Sequence, residues 1–177
     1  MINALKTERL LLREFSAADL ADAQAYGSDP DLWRYKGGSP ETEEDTRQRL
    51  ERTLAHQQET PRLHYDFALV QADSGQLIGR CNLYVTAPQH KEAEVGYTLR
   101  QSSWGCGFAT EAAMALVQFG FHDLGLHRLF VVCHPDNAAS ERVMLRIGMR
   151  REGLLRERRW AKGVWQSSLV YSILDHE

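Results

Sequence analysis

The segment Trp104-Gly105-Cys106-Gly107-Phe108-Ala109-Thr110-Glu111 has the residue types that hold phosphate without a charged side chain. Two glycines and an alanine leave main-chain N–H groups uncovered. The segment lies between an alternating apolar run, Ala93 to Leu99, and a helix-patterned run, Ala112 to Phe121. A helix opening there adds the partial positive charge of its N-terminus, and the combination suits a phosphate or a diphosphate. On the preceding run, Glu94 stands two residues before Gly96, where bulk is missing. A carboxylate partly withdrawn from water there has its pKa raised, which suits a general base. By strand parity Glu94 faces away from Val95 and Tyr97, and Glu92 shares its side as the alternative base.

These groups need elements to place them. Thr7 to Phe15 reads as a strand, and Ser16 caps a helix to about Tyr26 with Asp19 in the capping-box position. Ser39-Pro40-Glu41 opens a polar helix to about Gln58. Tyr65 to Val70 and Leu77 to Val85 form a hairpin about Asp73-Ser74-Gly75, and Glu92 to Leu99 is the next strand. After the glycine segment a helix runs to about Leu124. Arg128 to His134 is a buried strand and Ala138 to Ile147 a helix. Met149 to Arg158 and Val164 to Leu174 are the closing strands. The order is β-α-α-β-β-β-α-β-α-β-β. The strands flanking the crossover helix between Glu92 and His134 should be parallel and the others antiparallel, giving a mixed α/β sheet with helices over its faces.

A chain of 177 residues is expected to form one domain, residues 1–177, with a core large enough to need no disulfide or metal. The net charge of −3 gives no reason to expect nucleic-acid binding. No apolar run approaches the roughly 20 residues of a membrane span, and the N-terminus lacks a signal-peptide pattern. Three scattered cysteines fit reduced thiols, so a cytoplasmic location is expected. Cys133 and His134, with His122 and His127, match no zinc spacing, so no metal is expected. Cys106 sits where a thiol pKa falls, but no His or Asp follows in an arrangement that would make it a nucleophile. Trp33, Tyr35, Trp160 and Trp165 read as packing residues before pocket residues.

The chain resembles the GCN5-related N-acetyltransferase (GNAT) superfamily, and more closely its RimJ/RimL-type branch of ribosomal-protein N-terminal acetyltransferases. The resemblance rests on TERLLLREF at the start, GQLIGRCNL at 75–83, AEVGYTL at 93–99, WGCGFATEA at 104–112, FHDLGLHRLFV at 121–131 and NAASERVMLRIGMRREGLLR at 137–156, in that order. It implies a single-domain, mostly antiparallel sheet whose central parallel pair splays in a V. It also implies acetyl-CoA as donor, a primary amine as acceptor and direct attack in a ternary complex. The family loop, Gln/Arg-x-x-Gly-x-Gly/Ala, falls on Trp104, Gly107 and Ala109. The tryptophan departs from the superfamily and matches the branch. Gly105 to Ala109 would then offer N–H groups to the diphosphate of CoA, with the hydroxyl of Thr110 beside them. Main-chain groups near Tyr97, Thr98 and Leu99 would pair with the pantetheine amides, and one of them would stabilise the oxyanion. Asn137 would hold the pantetheine or cap its helix. The family's proton-donating tyrosine falls on Met144, and Ser140 is the nearest replacement.

The acceptor is expected to be a protein N-terminal α-amine or a small amine. At pH 7 about one in ten α-amines is neutral, against roughly 1 in 2500 lysines, so an α-amine asks less of the base. A polyamine or an aminoglycoside stays open, as does a monomer or a homodimer. Met144 also keeps open a non-catalytic acyl-CoA sensor or interaction module on the same fold. A dinucleotide-binding oxidoreductase fits less well: Thr110 replaces the third glycine, and no acidic residue ends a second strand at the required distance.

Overall fold

Alternation along one strand explains why this sheet is covered on both sides. In the strand His64–Gln71, Phe67 and Leu69 belong to one apolar core, and Ala68 and Val70 to another. A strand buried on both faces needs helices above and below it. The computed structural model describes residues 2–177. The strands are β1 (Leu5–Lys6), β2 (Leu10–Glu14), β3 (His64–Gln71), β4 (Leu77–Ala87), β5 (Glu92–Leu99), β6 (Arg128–Cys133), β7 (Arg150–Ala161) and β8 (Val164–Leu174). The helices are α1 (Leu20–Gly27), α2 (Glu43–His56), α3 (Phe108–Gln118) and α4 (Ala138–Arg146). One sheet runs in the order β1-β2-β3-β4-β5-β6-β8-β7. The smaller core gathers Tyr26, Leu32 and Leu50 from the α1–α2 side, and the larger gathers Leu116, Val117 and Met144 from α3 and α4. This is the mixed sheet expected, with β5 and β6 as its parallel pair.

That pair is short. Ladder contacts join Glu92, Ala93 and Glu94 to Arg128, Leu129 and Phe130, and stop there. Beyond them β5 stays with β4 through Leu99, and β6 stays with β8 through Cys133. Two strands held by different outer partners therefore diverge, and the sheet opens into a V past Glu94.

Several boundaries differ from the expectation. Thr7 to Arg9 is not strand: the Thr7 hydroxyl accepts from Leu10 N at 2.9 Å and turns the chain between β1 and β2. Ser39 does not cap α2. Thr42 does, accepting from Asp45 N while the Asp45 carboxylate accepts from Thr42 N at 2.9 Å, a reciprocal capping box. Glu41 is drawn away to meet Arg49 at 2.9 Å. The Ser16/Asp19 capping box forms as expected, although the first turn is 3-10. The helix after the glycine segment ends in a π-type turn, Phe119–Asp123, before Gly125.

Candidate active site

The glycine segment adopts a conformation that only glycine accepts easily. Gly105 and Gly107 have φ of +76° and +84°, in the left-handed region where a Cβ crowds the chain. These two turns bring successive N–H groups around to one side at the start of α3. Gly107 caps α3 with no side-chain bond, and the first helical bond is Glu111 N to Gly107 O. Among the described residues, the N–H groups of Gly105 through Thr110 meet no acceptor. A run of unpaired donors at a helix N-terminus fits a diphosphate. A Cβ at Gly105 would meet nothing within 4 Å, so the space in front of the loop is open.

A residue far away in sequence holds the loop in place. Arg9 donates through Nη1 to Cys106 O at 2.9 Å and lies over the Phe108 ring at 4.6 Å. The Glu111 carboxylate accepts from Thr7 Oγ1 at 2.6 Å and from Arg9 N and Nε at 2.8 Å each. These donors hold the Glu111 carboxyl below its ordinary range even though burial opposes ionisation. The Trp104 indole donates to Leu99 O at 2.8 Å, which ties the loop to the end of β5. One main-chain carbonyl expected to face the cofactor is therefore already engaged. Cys106 is exposed, its thiol donating weakly to Trp104 O at 3.5 Å.

A cleft of about 490 Å³ runs from this loop through the V, within the range of small-molecule sites. It is lined on one side of the sheet by the start of α3 and by Asn137, Ser140 and Arg142 near the start of α4. On the other side it is lined by Asp31, Leu32, Arg34 to Lys36, Glu94 and Arg158. The parity of β5 separates the two sides. Tyr97 points toward α4, where its hydroxyl lies 2.8 Å from Ser140 Oγ. Thr98 points the opposite way and accepts from Lys36 Nζ at 2.9 Å. Asn137 caps α4, accepting from Ser140 N at 3.1 Å, and also lines the cleft.

The two candidate bases are now distinguishable. Glu92 is paired with Arg128 and does not line the cleft. Glu94 lines it, and among the described residues its carboxylate has no hydrogen-bond partner. Burial raises its pKa, and the Arg158 guanidinium opposes the rise only in part. Met144 is fully buried in the core and cannot donate a proton into the cleft. The hydroxyl that sequence reasoning missed belongs to Tyr97. Burial pushes its pKa up to about 12, although the Ser140 hydrogen bond favours the phenolate. It therefore keeps its proton across the working range. The signal in the sequence is an aromatic hydroxyl at a position of β5 whose side chain turns toward α4. Cys133 lines the cleft with its thiol pushed by burial up to about 11. His122 and His127 do not join it there. The nearest groupings of metal-binding residue types, His56-Glu59-His64 and His127-Asp175-His176, lie outside the cleft lining. Trp160 and Trp165 are exposed and pack edge-to-face on each other, and only Tyr35 of the four candidate aromatics lines the cleft.

An acetyltransferase (GNAT) domain model matches residues 9–150. The chain is 32% identical over 173 residues to the uncharacterized N-acetyltransferase YnaD of Bacillus subtilis (strain 168), covering 98% of each. It is 30% identical over 139 residues to the ribosomal-protein-serine acetyltransferase of Escherichia coli (strain K12), covering 77% of this chain and 75% of that one. A solved acetyltransferase (GNAT family) from Bacillus anthracis superposes with a TM-score of 0.88 at 31% identity, covering 99% of this chain and all of that one.

Proposed function

We propose that this chain, which belongs to the GNAT family of N-acetyltransferases, moves an acetyl group from acetyl-CoA to a primary amine within a ternary complex. The supporting observation is the run of unpaired N–H groups, Gly105 to Thr110, at the mouth of a cleft that crosses the sheet between β5 and β6. Bound there, acetyl-CoA supplies an activated acyl group and a thiol leaving group. The donor set fits it. Gly105 to Ala109 accommodate the diphosphate by main-chain donors, with the Thr110 hydroxyl beside them. The edge of β5 that leaves β6, through Tyr97, Thr98 and Leu99, offers main-chain groups to the pantetheine arm other than Leu99 O, which the Trp104 indole takes in fixing the loop to that edge.

The acceptor amine enters from the Glu94 side. Glu94, directly or through a water, takes the proton that the amine must lose. A main-chain N–H of β5 past Glu94 stabilises the charge that develops on the carbonyl oxygen. Tyr97, hydrogen-bonded to Ser140, returns a proton to the departing sulfur from the opposite side. Base and acid thus sit on opposite faces of β5, so proton removal and proton delivery do not compete.

The resemblance to the ribosomal-protein branch favours an α-amine acceptor, and the raised pKa of Glu94 suits an amine that is already partly neutral. Among the described residues no helix is long and apolar enough to cross a membrane, and a cytoplasmic location agrees with the unpaired cysteines. The test is purified protein, acetyl-CoA and a panel of N-terminal peptides and small amines. CoA thiol release is followed and the product mass is measured. Acetylation at an amine nitrogen supports the reading, and binding of acetyl-CoA without turnover on any acceptor would contradict it.

A further inference from the structure

The two mouths of the cleft differ in what surrounds them. On the Glu94 side, Arg34, Lys36, Arg158 and Arg159 line the wall, against the carboxylates of Asp31 and Glu94. None of these four cations forms a salt bridge among the described residues. Lys36 donates to the neutral Thr98 hydroxyl, and its ammonium lies 5.3 Å from the centre of the Trp33 ring. Arg159 donates to Tyr35 O at 2.9 Å and to Gln166 Oε1 at 3.3 Å, while its Nε is buried without an acceptor. Asp31 accepts from Gln101 Nε2 at 2.7 Å and forms no salt bridge with these cations among the described residues. A chain of net charge −3 therefore gathers an excess of positive charge at one opening, four cations to two carboxylates.

The CoA phosphates do not account for it. The diphosphate site at the start of α3 is on the Tyr97 side of the sheet, where Arg142 and Arg146 of α4 also line the cleft. Arg34, Lys36, Arg158 and Arg159 gather on the other side, with Glu94 and Thr98. The wall is also built rather than loose. Arg159 and Lys162 of the β7–β8 hairpin pin the segment 33–36 by its carbonyls, Lys162 Nζ reaching Trp33 O at 2.5 Å. Gly38 lets the segment close on Trp33, since a Cβ there would lie 2.7 Å from the indole. Burial lowers the Lys36 pKa to about 8, and an incoming anion would reverse that shift.

We propose that the acceptor is an amine with negative charge close by in the same molecule, held by an anion subsite made of Arg34, Lys36, Arg158 and Arg159. The proposal rests on the acetyltransferase reading and narrows its substrate class. Glu94 receives the amine, and the cations receive the carboxylate or phosphate beside it. Polyamines and aminoglycosides, which bring further positive charge to the same wall, are excluded by repulsion. The anion comes either from acidic residues just after a peptide N-terminus or from a small amino-carboxylate.

The experiment compares kcat/KM at fixed acetyl-CoA for three peptides identical except at positions 2 to 4: Ser-Glu-Glu-Glu, Ser-Gly-Gly-Gly and Ser-Lys-Lys-Lys. Free aspartate, free glutamate and spermidine form further arms. The acidic peptide is expected to exceed the neutral one by about tenfold, equivalent to ~1.4 kcal/mol, and the basic peptide and spermidine to fall below it. Aspartate or glutamate matching the acidic peptide would identify a small amino-carboxylate as the source. The Arg34→Glu/Arg158→Glu variant should invert the peptide order while leaving CoA affinity within twofold. Equal rates for all three peptides, preference for spermidine, or an order unchanged in the variant would overturn the subsite. Calorimetry of the acidic peptide on the protein–CoA complex, wild type against variant, reads the subsite without turnover. Failure of every acceptor to react with that binding intact would count against the acetyltransferase reading alone, and equal affinity in wild type and variant would count against the subsite.

Discussion

Replacing Gly107 by Val tests the diphosphate loop at the position where backbone and ligand demands meet. Gly107 has φ of +84°, and a Cβ there would lie 3.4 Å from Arg9 Nη2, the guanidinium that steadies Cys106. The backbone strain costs about 1–3 kcal/mol. The two γ-methyl groups also occupy space in front of N–H groups that have no other acceptor. Each charge-assisted hydrogen bond is worth about 1.5–3 kcal/mol. Displacing a diphosphate from two of them removes about 3–6 kcal/mol, or roughly a 10²- to 10⁴-fold loss of CoA affinity. The assay is isothermal calorimetry with CoA, beside a thermal melt. Gly125→Val is the control: Gly125 has φ of +61° and open space around it, so strain is matched without touching the loop. The expected result is a comparable loss of thermal stability in both variants and a loss of CoA affinity in Gly107→Val alone. CoA affinity within threefold of wild type in Gly107→Val would show that these N–H groups do not hold the diphosphate.

Other substitutions test the remaining groups. Glu94→Gln should lower kcat by about 10²-fold or more while leaving CoA affinity within twofold. Because burial raises the Glu94 pKa above 4.5, its basic form builds up only at higher pH. The wild-type rate should therefore rise with pH through that limb and the variant should lack it; identical pH–rate profiles would remove Glu94 as base. Tyr97→Phe leaves the Ser140 hydroxyl without its partner and should reduce kcat at least tenfold with CoA binding retained, in steady-state kinetics and calorimetry. An unchanged kcat would move the acid role elsewhere. Asp19→Asn should cost about 1.5–3 kcal/mol at pH 7 in urea unfolding, because Asp19 accepts two bonds from Arg13, at 2.8 and 2.6 Å, and one from Ser16 N at 2.7 Å. Its folded pKa is lowered, so this stabilisation is present above 3.8 and disappears as pH falls through the folded value. A gap that persists undiminished at pH 2 would contradict that linkage.

The parts of the molecule with strong local signals were readable from the sequence. β5 and β8 have the expected bounds because alternation and flanking turns agree there. The glycine segment was readable because positive φ and a helix start both leave composition signatures. The start of α2 was not, because Ser39-Pro40 and Thr42-x-x-Asp45 are both credible caps. Side-chain bonds outside both caps decided between them, with Glu41 engaging Arg49 and Thr46. Arg9 and Glu111 are 102 residues apart, so the clamp on the loop is a product of the fold. The same holds for the Tyr97–Ser140 pair, 43 residues apart, and for Lys36, whose partners come from β5 and from the segment around Trp33. Strand parity placed Glu94 on the side opposite Tyr97, but only the Arg128 pairing of Glu92 separated the two carboxylates.

The most direct test of the account is a titration of 15N-labelled protein with CoA, followed by backbone amide shifts. The largest changes are expected on Gly105 through Thr110, where unpaired N–H groups gain an acceptor, with a second set along Val95 to Leu99 where β5 leaves β6. Saturable binding that leaves Gly105–Thr110 unshifted and perturbs another surface instead, such as the exposed stretch Leu154–Glu157 of β7, would contradict this assignment.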